Sequence, residues 1–146
     1  MDPNTTRPPA LNKVLYDQLN GKQKEMYNFH KFGGILADYG FVCIKLSDDW
    51  AGADFLAIHK DGTDIRRVQL KPRLYICRKY MNKDLFMAFP TGGRWYLVLR
   101  DLLVEEVGKC TNWLNTSSWI DQEFYHSTNP GAALMQFLSE YRVGAG

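Results

Sequence analysis

Two neighbouring segments of the chain carry side chains that could together hold a cation and act on a phosphate. Asp54 lies in the first segment, and Gln69 and Lys71 lie in the second. Residues at positions i and i+2 of a strand project from the same face, so we expect Gln69 and Lys71 to point together. A carboxylate, an amide oxygen and an ammonium group gathered on one sheet can bind a divalent cation and stabilise phosphoryl transfer.

The two segments have the pattern of a β-hairpin. Residues 53–60 and 63–71 read as strands, and Asp61-Gly62 between them is a strong signal for a hairpin turn. Pro72 lacks a backbone donor, so it is expected to end regular pairing on the second strand. The hairpin would therefore place Asp54 on one strand and the Gln-x-Lys segment on its neighbour.

A helix is predicted before the hairpin, from about Lys22 to Tyr39. Asn20 can cap its N-terminus together with Gln23, which lies three residues further on. Gly40 provides the stop signal at the other end.

One face of this helix combines an acid with an apolar stripe. Glu25, Phe29, Phe32 and Leu36 follow a 4-3-4 spacing and share that face. A carboxylate in line with apolar residues needs a partner, which makes Glu25 a candidate site residue. The alternative is that Glu25 lies in the first helical turn, at the solvent edge, and complements the helix dipole.

The remaining pattern indicates one mixed α/β layer domain. Residues 1–20 are expected to form an N-terminal arm with a short amphipathic helix over residues 10–19, and residues 21–146 a single α/β domain. The loop 48–52 is acidic, and residues 73–83 are expected to connect two strands with about one helical turn. The other predicted elements are strands at 41–47, 85–89 and 94–100, a helix capped by Asp101 that ends at Val107, and a helix from Pro130 to Tyr141.

Composition limits the classes of protein that the chain can represent. It has 146 residues, 45% hydrophobic content and 14% aromatic content, which is enough for a folded core and excludes global disorder. No apolar run approaches the ~20 residues of a membrane span, and the first residues show no leader sequence. The three cysteines form no CxxC pair, so we expect reduced thiols in a cytoplasmic protein without membrane association.

Basic residues concentrate in one strip of the sequence, from Arg66 to Lys83, although the net charge is only +2. A local positive strip attracts a polyanion even when the whole protein is nearly neutral. Tyr75 and Tyr80 lie within the strip and could stack on bases or simply pack. The candidates for phosphate contacts are Arg66, Arg73, Arg78, Lys79 and Lys83.

The predicted order of elements resembles that of the PD-(D/E)XK nuclease superfamily, also called the restriction-endonuclease-like fold. The order is a helix, three strands with an acid on the second and x-Lys on the third, and then a further strand. Asp54, Gln69-Leu70-Lys71 and Glu25 carry the resemblance. In spacing, the chain is similar to archaeal Holliday junction resolvases and to a bacterial group with a Val-Gln-Leu-Lys motif. Ala53 stands where the family has its proline, and Gln69 where most members have an acid, although some members with glutamine there are active.

The resemblance implies an α-β-β-β-α-β core with a mixed central sheet flanked by helices and followed here by a C-terminal helical extension. It also implies Mg²⁺-dependent hydrolysis of DNA, with Mn²⁺ as a substitute and a homodimer for cutting both strands. Asp54, Gln69 and Glu25 would be the metal ligands, with Asp49 as a further candidate, and Lys71 would act on the attacking water or the transition state.

Two other functions remain open from the sequence. The same fold could serve as a non-catalytic module that binds nucleic acid or protein, with a metal site weakened by Gln69. Alternatively, the chain could be a small α/β interaction protein in which Asp54 and Lys71 are not close.

Overall fold

In the computed structural model, which describes residues 7–80, 84–122, 124–127 and 129–144, a mixed sheet separates two helical layers. The sheet has six strands in the order β1-β2-β3-β5-β6-β8. Its strands are β1 (Phe41–Trp50), β2 (Ala53–His59), β3 (Ile65–Leu70), β5 (Leu85–Thr91), β6 (Arg94–Leu99) and β8 (Arg142–Val143). A separate pair joins β4 (Leu74–Cys77) to β7 (Phe124–Ser127). The α-helices are α1 (Gly21–Ala37), α2 (Arg100–Cys110), α3 (Ser117–Gln122) and α4 (Ala132–Leu138).

The first helix forms as predicted. The Asn20 side chain accepts a hydrogen bond from the Gln23 amide at 2.8 Å, and the Gln23 side chain accepts one from the Asn20 amide at 2.9 Å. This reciprocal capping box satisfies two backbone donors at the helix start. At the other end, Gly40 has a φ of +84°, a left-handed conformation that favours glycine.

The predicted hairpin is also confirmed. Strands β2 and β3 pair antiparallel, with Phe55 opposite Val68 and Ile58 opposite Ile65. In the turn, Asp61 accepts hydrogen bonds from the Thr63 amide and hydroxyl, both at 2.9 Å. These bonds lower the pKa of the exposed Asp61 carboxyl to about 2.

The sheet is antiparallel except at its centre. Strand β3 runs parallel to β5, with Gln69 in register with Met87, whereas β1-β2, β2-β3, β5-β6 and β6-β8 are antiparallel pairs. The chain is thus a mixed α/β protein with a mostly antiparallel, partly parallel central sheet.

Alternation along the strands gives each face of the sheet its own core. One face carries Phe55, Ala57 and Val68, which pack against Phe29 and Phe32 of α1. The opposite face packs against β4 and the C-terminal helices; this second core contains Leu74, Ile76, Met87, Phe89, Val98, Leu103, Val107, Trp113, Trp119, Leu134 and Leu138.

The predicted order α-β-β-β-α-β needs a correction between β3 and β5. The described residues of this connection contain strand β4 and a single 3₁₀ turn, Arg78–Tyr80, and no α-helix. Strand β4 is held by β7, which lies far along the chain, and by the fully buried Arg100, whose Nη2 donates to the Cys77 carbonyl oxygen.

The short amphipathic helix predicted at residues 10–19 is also wrong. Only Tyr16–Gln18 form a 3₁₀ turn, and residues 7–15 have no regular structure. Leu11 is fully exposed, and Val14 and Leu15 are mostly exposed. An isolated helix of about ten residues is marginal in water unless its apolar face packs on something, and these side chains do not.

Three smaller differences concern element ends. Strand β1 continues to Trp50, so the predicted acidic loop is reduced to a turn at Ala51-Gly52. Helix α2 starts at Arg100, with Leu99 at the capping position in place of Asp101. The last helix covers Ala132–Leu138, with Gly131 at its N-cap, and continues as the 3₁₀ turn Ser139–Tyr141.

None of the helices in the described part of the chain combines the length and apolar character needed to cross a bilayer.

Candidate functional site

The hairpin register brings Asp54 and Gln69 to the same end of adjacent strands. Phe55 and Val68 are directly opposite each other and face α1. Asp54 and Gln69 each flank this pair, one on each strand. Gln69 is in register with Met87 of the opposite core, whereas Asp54, near the start of β2, borders a cavity together with Glu25 of α1. The predicted pairing of an acid on one strand with an amide on the next is therefore compatible with the register.

Asp54 is anchored to the backbone of the neighbouring strand. Its Oδ2 accepts a hydrogen bond from the Leu70 amide at 2.8 Å, and this amide is the only hydrogen-bond donor to the carboxylate in the described residues. The amide lies between Gln69 and Lys71, so the carboxylate contacts the Gln-x-Lys segment itself. Its other oxygen, Oδ1, has no protein donor in that part of the chain.

The pKa of the half-buried Asp54 carboxyl is raised above its usual value. Burial, which removes water from the charged form, is the main cause. The Leu70 hydrogen bond and the positive charges of Lys45 and Lys71 lower the pKa, but they do not cancel the effect of burial. The ionised carboxylate is therefore less stable in the folded protein than in water, and in this sense it is under-compensated by the surrounding donors and charges.

Gln69 presents a second oxygen that lacks a partner. The residue is only 6% exposed, and its Oε1 has no hydrogen-bond partner in the described structure. Leaving a buried acceptor unpaired costs about 1–3 kcal/mol. Such an atom calls for an explanation, and a bound cation or an ordered water would provide one.

Lys71 lies at the point where β3 ends. Its amide donates to the Ala88 carbonyl at 2.9 Å, which continues the pairing with β5 by one residue. Its Nζ lies 4.7 Å from the centroid of the Tyr75 ring, a cation–π contact that orients the ammonium group. Tyr75 also packs against the second core, as one of its two predicted roles requires.

Glu25 is engaged with a residue that sequence reasoning missed. Its Oε1 accepts from Lys45 Nζ at 2.9 Å, and this hydrogen bond is the main reason that the pKa of Glu25 is lowered. Lys45 is opposite Phe55 in the β1-β2 register and so projects toward α1. Glu25 lies beyond the first helical turn, which removes the alternative role at the helix dipole.

Two cavities open at this end of the sheet, and Glu25 borders both. One, of about 340 Å³, is bordered by Lys45, Asp48 and Asp54. The other, of about 420 Å³, is bordered by Lys71 and the helix residues Lys24 and Asn28. Asp54 therefore lines one of two adjoining spaces and Lys71 the other, with Glu25 on both, and Gln69 borders neither of them.

The donor set fits a weakly held Mg²⁺ ion rather than a closed metal centre. Within the described residues, no group of three or more His, Cys, Asp and Glu side chains is arranged to hold an ion. Mg²⁺ is commonly bound by one or two carboxylates plus water and substrate phosphates. Asp54 Oδ1 and Gln69 Oε1 supply one charged and one neutral oxygen, and substrate would have to supply the rest. The side chain of Asp49 lies outside the described part of the structure.

The described residues of the predicted basic strip lie on different parts of the fold. The Arg66 guanidinium donates to both carboxylate oxygens of Asp64, at 3.0 and 3.1 Å, and lies 4.8 Å from the Phe86 ring centroid. Phe86 is part of the core under α1, so Arg66 belongs to the sheet face opposite Gln69.

The other predicted phosphate contacts lie along strand β4. Arg73 is exposed before the strand, and Arg78 and Lys79 are exposed after it. At a rise of roughly 3.3 Å per residue, five residues place Arg78 about 16 Å from Arg73. Arg78 also donates to the Ile120 carbonyl at 3.3 Å. Lys83 lies outside the described residues.

The raised pKa of Asp54 leads to a testable effect of pH on stability. A carboxyl whose pKa is higher in the folded state contributes stability below its unfolded pKa, and this contribution is lost as the pH rises through the folded value. In EDTA, Asp54→Asn should therefore raise the melting temperature at pH 7, and the gain should shrink toward pH 3. Thermal denaturation followed by circular dichroism measures this difference.

Asp48 provides the matched control, because it borders the same cavity but is exposed. Asp48→Asn should change the melting temperature little across the same range. An Asp54→Asn variant that is less stable than the wild type at pH 7 would contradict the assignment of Asp54 as an under-compensated buried carboxylate.

Comparisons with known proteins identify no relative of this chain: no family model, no curated protein and no solved structure matches it.

Proposed function

We propose that this protein is a metal-dependent endonuclease that hydrolyses DNA phosphodiester bonds, with Asp54, Gln69 and Lys71 at its centre. The observation that carries the proposal is the pair of oxygens on adjacent strands, an under-compensated carboxylate and a buried amide oxygen without a partner. Gln69 belongs to the Gln-x-Lys segment, and Asp54 contacts the backbone of that segment. The segment ends in Lys71, whose ammonium group is oriented by the Tyr75 ring. A carboxylate and a neutral oxygen can hold a divalent cation, and an ammonium group can stabilise the charge that develops in phosphodiester hydrolysis.

The finer fold assignment is part of the same proposal. A helix, a three-stranded antiparallel unit and a fourth strand parallel to the third are compatible with the restriction-endonuclease-like arrangement. In this chain a strand and a 3₁₀ turn take the place of the second helix.

The roles of the residues follow from their contacts. Asp54 and Gln69 would hold Mg²⁺, with Mn²⁺ as a substitute; when bound, the ion would polarise the phosphoryl oxygens and lower the pKa of a bound water. Lys71 would orient the attacking water or neutralise charge that develops on the phosphate in the transition state. Glu25 was predicted as a ligand, but its hydrogen bond to Lys45 supports a different role, which is to hold that ammonium group beside Asp54.

Cleavage assays on duplex, branched and single-stranded DNA test the proposal. Incubation with Mg²⁺ or Mn²⁺ should produce internal cuts, and EDTA should abolish them. Cutting both strands of a duplex would require two sites, which a homodimer provides, so the mass of the protein in solution should be measured on the same sample. Intact DNA in both metals on all three substrates would reject the nuclease.

One observation favours a second candidate, a non-catalytic nucleic-acid-binding module. The Glu25 carboxylate is already paired with Lys45, so Asp54 is left as the charged ligand. If this charge is too small to hold the ion, DNA would bind without being cut. Binding in EDTA that does not change on addition of Mn²⁺, with no cleavage, would identify this function.

A further inference from the structure

A groove with exposed aromatic rings adjoins the Lys71 side of the candidate site. The 420 Å³ cavity is bordered by Tyr16, Lys24 and Lys71. A second cavity of about 290 Å³ shares Tyr16, Asn28 and Pro72 with it and extends to Tyr27. The two cavities are thus neighbours with a shared wall at Tyr16, Asn28 and Pro72, and together they are called the groove; Lys71 borders the larger cavity and Tyr27 the smaller.

The two tyrosine rings are arranged as a platform. Their centroids are 5.2 Å apart with an interplanar angle of 63°, and Asn28 Nδ2 donates to Tyr16 Oη at 3.0 Å. Tyr16 and Tyr27 nevertheless remain 36% and 41% exposed. The rings are thus held in place by each other and by an amide while leaving surface free for a ligand.

Each ring is accompanied by a lysine. Lys24 Nζ lies 5.3 Å from the centroid of Tyr16, and Lys31 Nζ lies 5.4 Å from that of Tyr27. Two aromatic rings, each with a cation beside it, match the chemistry of an unpaired nucleic-acid strand, in which bases stack and phosphates need positive charge. An apolar peptide would use the rings but not the cations.

We infer that this groove binds unpaired nucleotides of the DNA substrate, so that the substrate class is DNA with a single-stranded segment next to the cleaved bond. The inference rests on the proposed function, because it is Lys71 that places the groove beside the reacting phosphate. The volume of the larger cavity lies within the range of roughly 300–1,000 Å³ that is typical of ligand pockets. A base in a continuous duplex would have to leave the stack to enter it, which costs energy.

Binding without cleavage gives the direct test. In EDTA, the fluorescence anisotropy of a labelled single-stranded oligonucleotide and of the same sequence as a blunt duplex should be titrated with the wild type and with Tyr16→Ala. The wild type should bind the single strand more tightly than the duplex. Tyr16→Ala should weaken single-strand binding about 5- to 150-fold, since stacking is worth about 1–3 kcal/mol per base, and should leave duplex binding within about twofold.

Two further variants keep the result interpretable. Tyr16→Trp retains a stacking ring and should keep single-strand affinity close to that of the wild type. Tyr39→Ala removes a comparably exposed tyrosine at the opposite end of α1 and should have no effect on single-strand binding. Circular dichroism should show that all variants are folded; if Tyr16→Ala is not, Tyr16→Leu takes its place.

The outcomes separate this inference from the proposed nuclease. If Tyr16→Ala and the wild type bind the single strand equally well, the groove does not bind unpaired nucleotides, even if DNA is cut in Mg²⁺. An equal loss for Tyr16→Ala and Tyr16→Trp would also overturn it, because stacking would not be the cause. A Tyr16-dependent preference for single strands without any cleavage in Mg²⁺ or Mn²⁺ would support the groove and reject the nuclease.

Discussion

Replacing Lys71 by alanine is expected to slow metal-dependent DNA cleavage by about 10²- to 10³-fold, the typical effect of removing one preorganised group that stabilises charge in a transition state. The ammonium group is oriented by the Tyr75 ring at 4.7 Å, and its charge acts on Asp54. Single-turnover cleavage rates at saturating Mg²⁺ measure the effect. Asp54→Ala should abolish cleavage, because it removes the charged ligand of the proposed metal site.

The control for Lys71 is Lys60, an exposed residue at the hairpin turn. Lys60→Ala removes the same charge from the same hairpin but should leave the cleavage rate within about twofold of the wild type. Circular dichroism should show native folding for each variant. Wild-type rates for either Lys71→Ala or Asp54→Ala would refute the assignment of the site.

Local signals in the sequence predicted the hairpin and the first helix correctly, because each depends on neighbouring residues. Asp61-Gly62 and its Thr63 contacts define the turn without help from the rest of the chain. The capping box of Asn20 and Gln23 is equally local. The relation between Asp54 and the Gln-x-Lys segment then follows from the register of a single hairpin.

Elements that depend on distant partners could not be predicted in the same way. Strand β4 is only four residues long and pairs with β7, whose first residue, Phe124, pairs with Cys77 nearly fifty positions earlier. The residues before Tyr16 show the opposite error, since Leu11, Val14 and Leu15 have helical spacing but no surface to cover. Periodicity predicts an amphipathic helix only where a packing partner exists.

Lys45 shows which signal in the sequence was available but not used. A lysine inside the predicted strand that follows a helix with an acid on its apolar face is a candidate partner for that acid. In the structure the two meet at 2.9 Å, and the pair borders the cavity that contains Asp54. The aromatic groove could not be recognised this way, because Tyr16 and Tyr27 come together only through the 3₁₀ turn before α1.

Substitution of Gln69 by glutamate should have opposite effects on the metal-free and the metal-bound protein. Without metal, a second buried carboxylate near Asp54 has no compensating donor, so the melting temperature at pH 7 should fall. With metal, the additional charge should lower the Mg²⁺ or Mn²⁺ concentration at half-maximal effect by about tenfold or more, because ligand charge sets the affinity of oxygen sites. Melting curves across a metal titration measure both, since an ion that binds only the folded state raises its stability.

Gln69→Met completes the comparison, because it fills a similar space without an oxygen. Removing an unpaired buried acceptor should stabilise the metal-free protein by about 1–3 kcal/mol, and the melting temperature should no longer respond to metal. The response of the melting temperature to Mn²⁺ should therefore be largest with glutamate at position 69, intermediate with glutamine and smallest with methionine. In EDTA, the protein with methionine should be the most stable and the protein with glutamate the least stable. If glutamate at this position leaves the metal response at the wild-type level, Oε1 of Gln69 does not face the ion, and the unpaired oxygen must be explained by a water molecule.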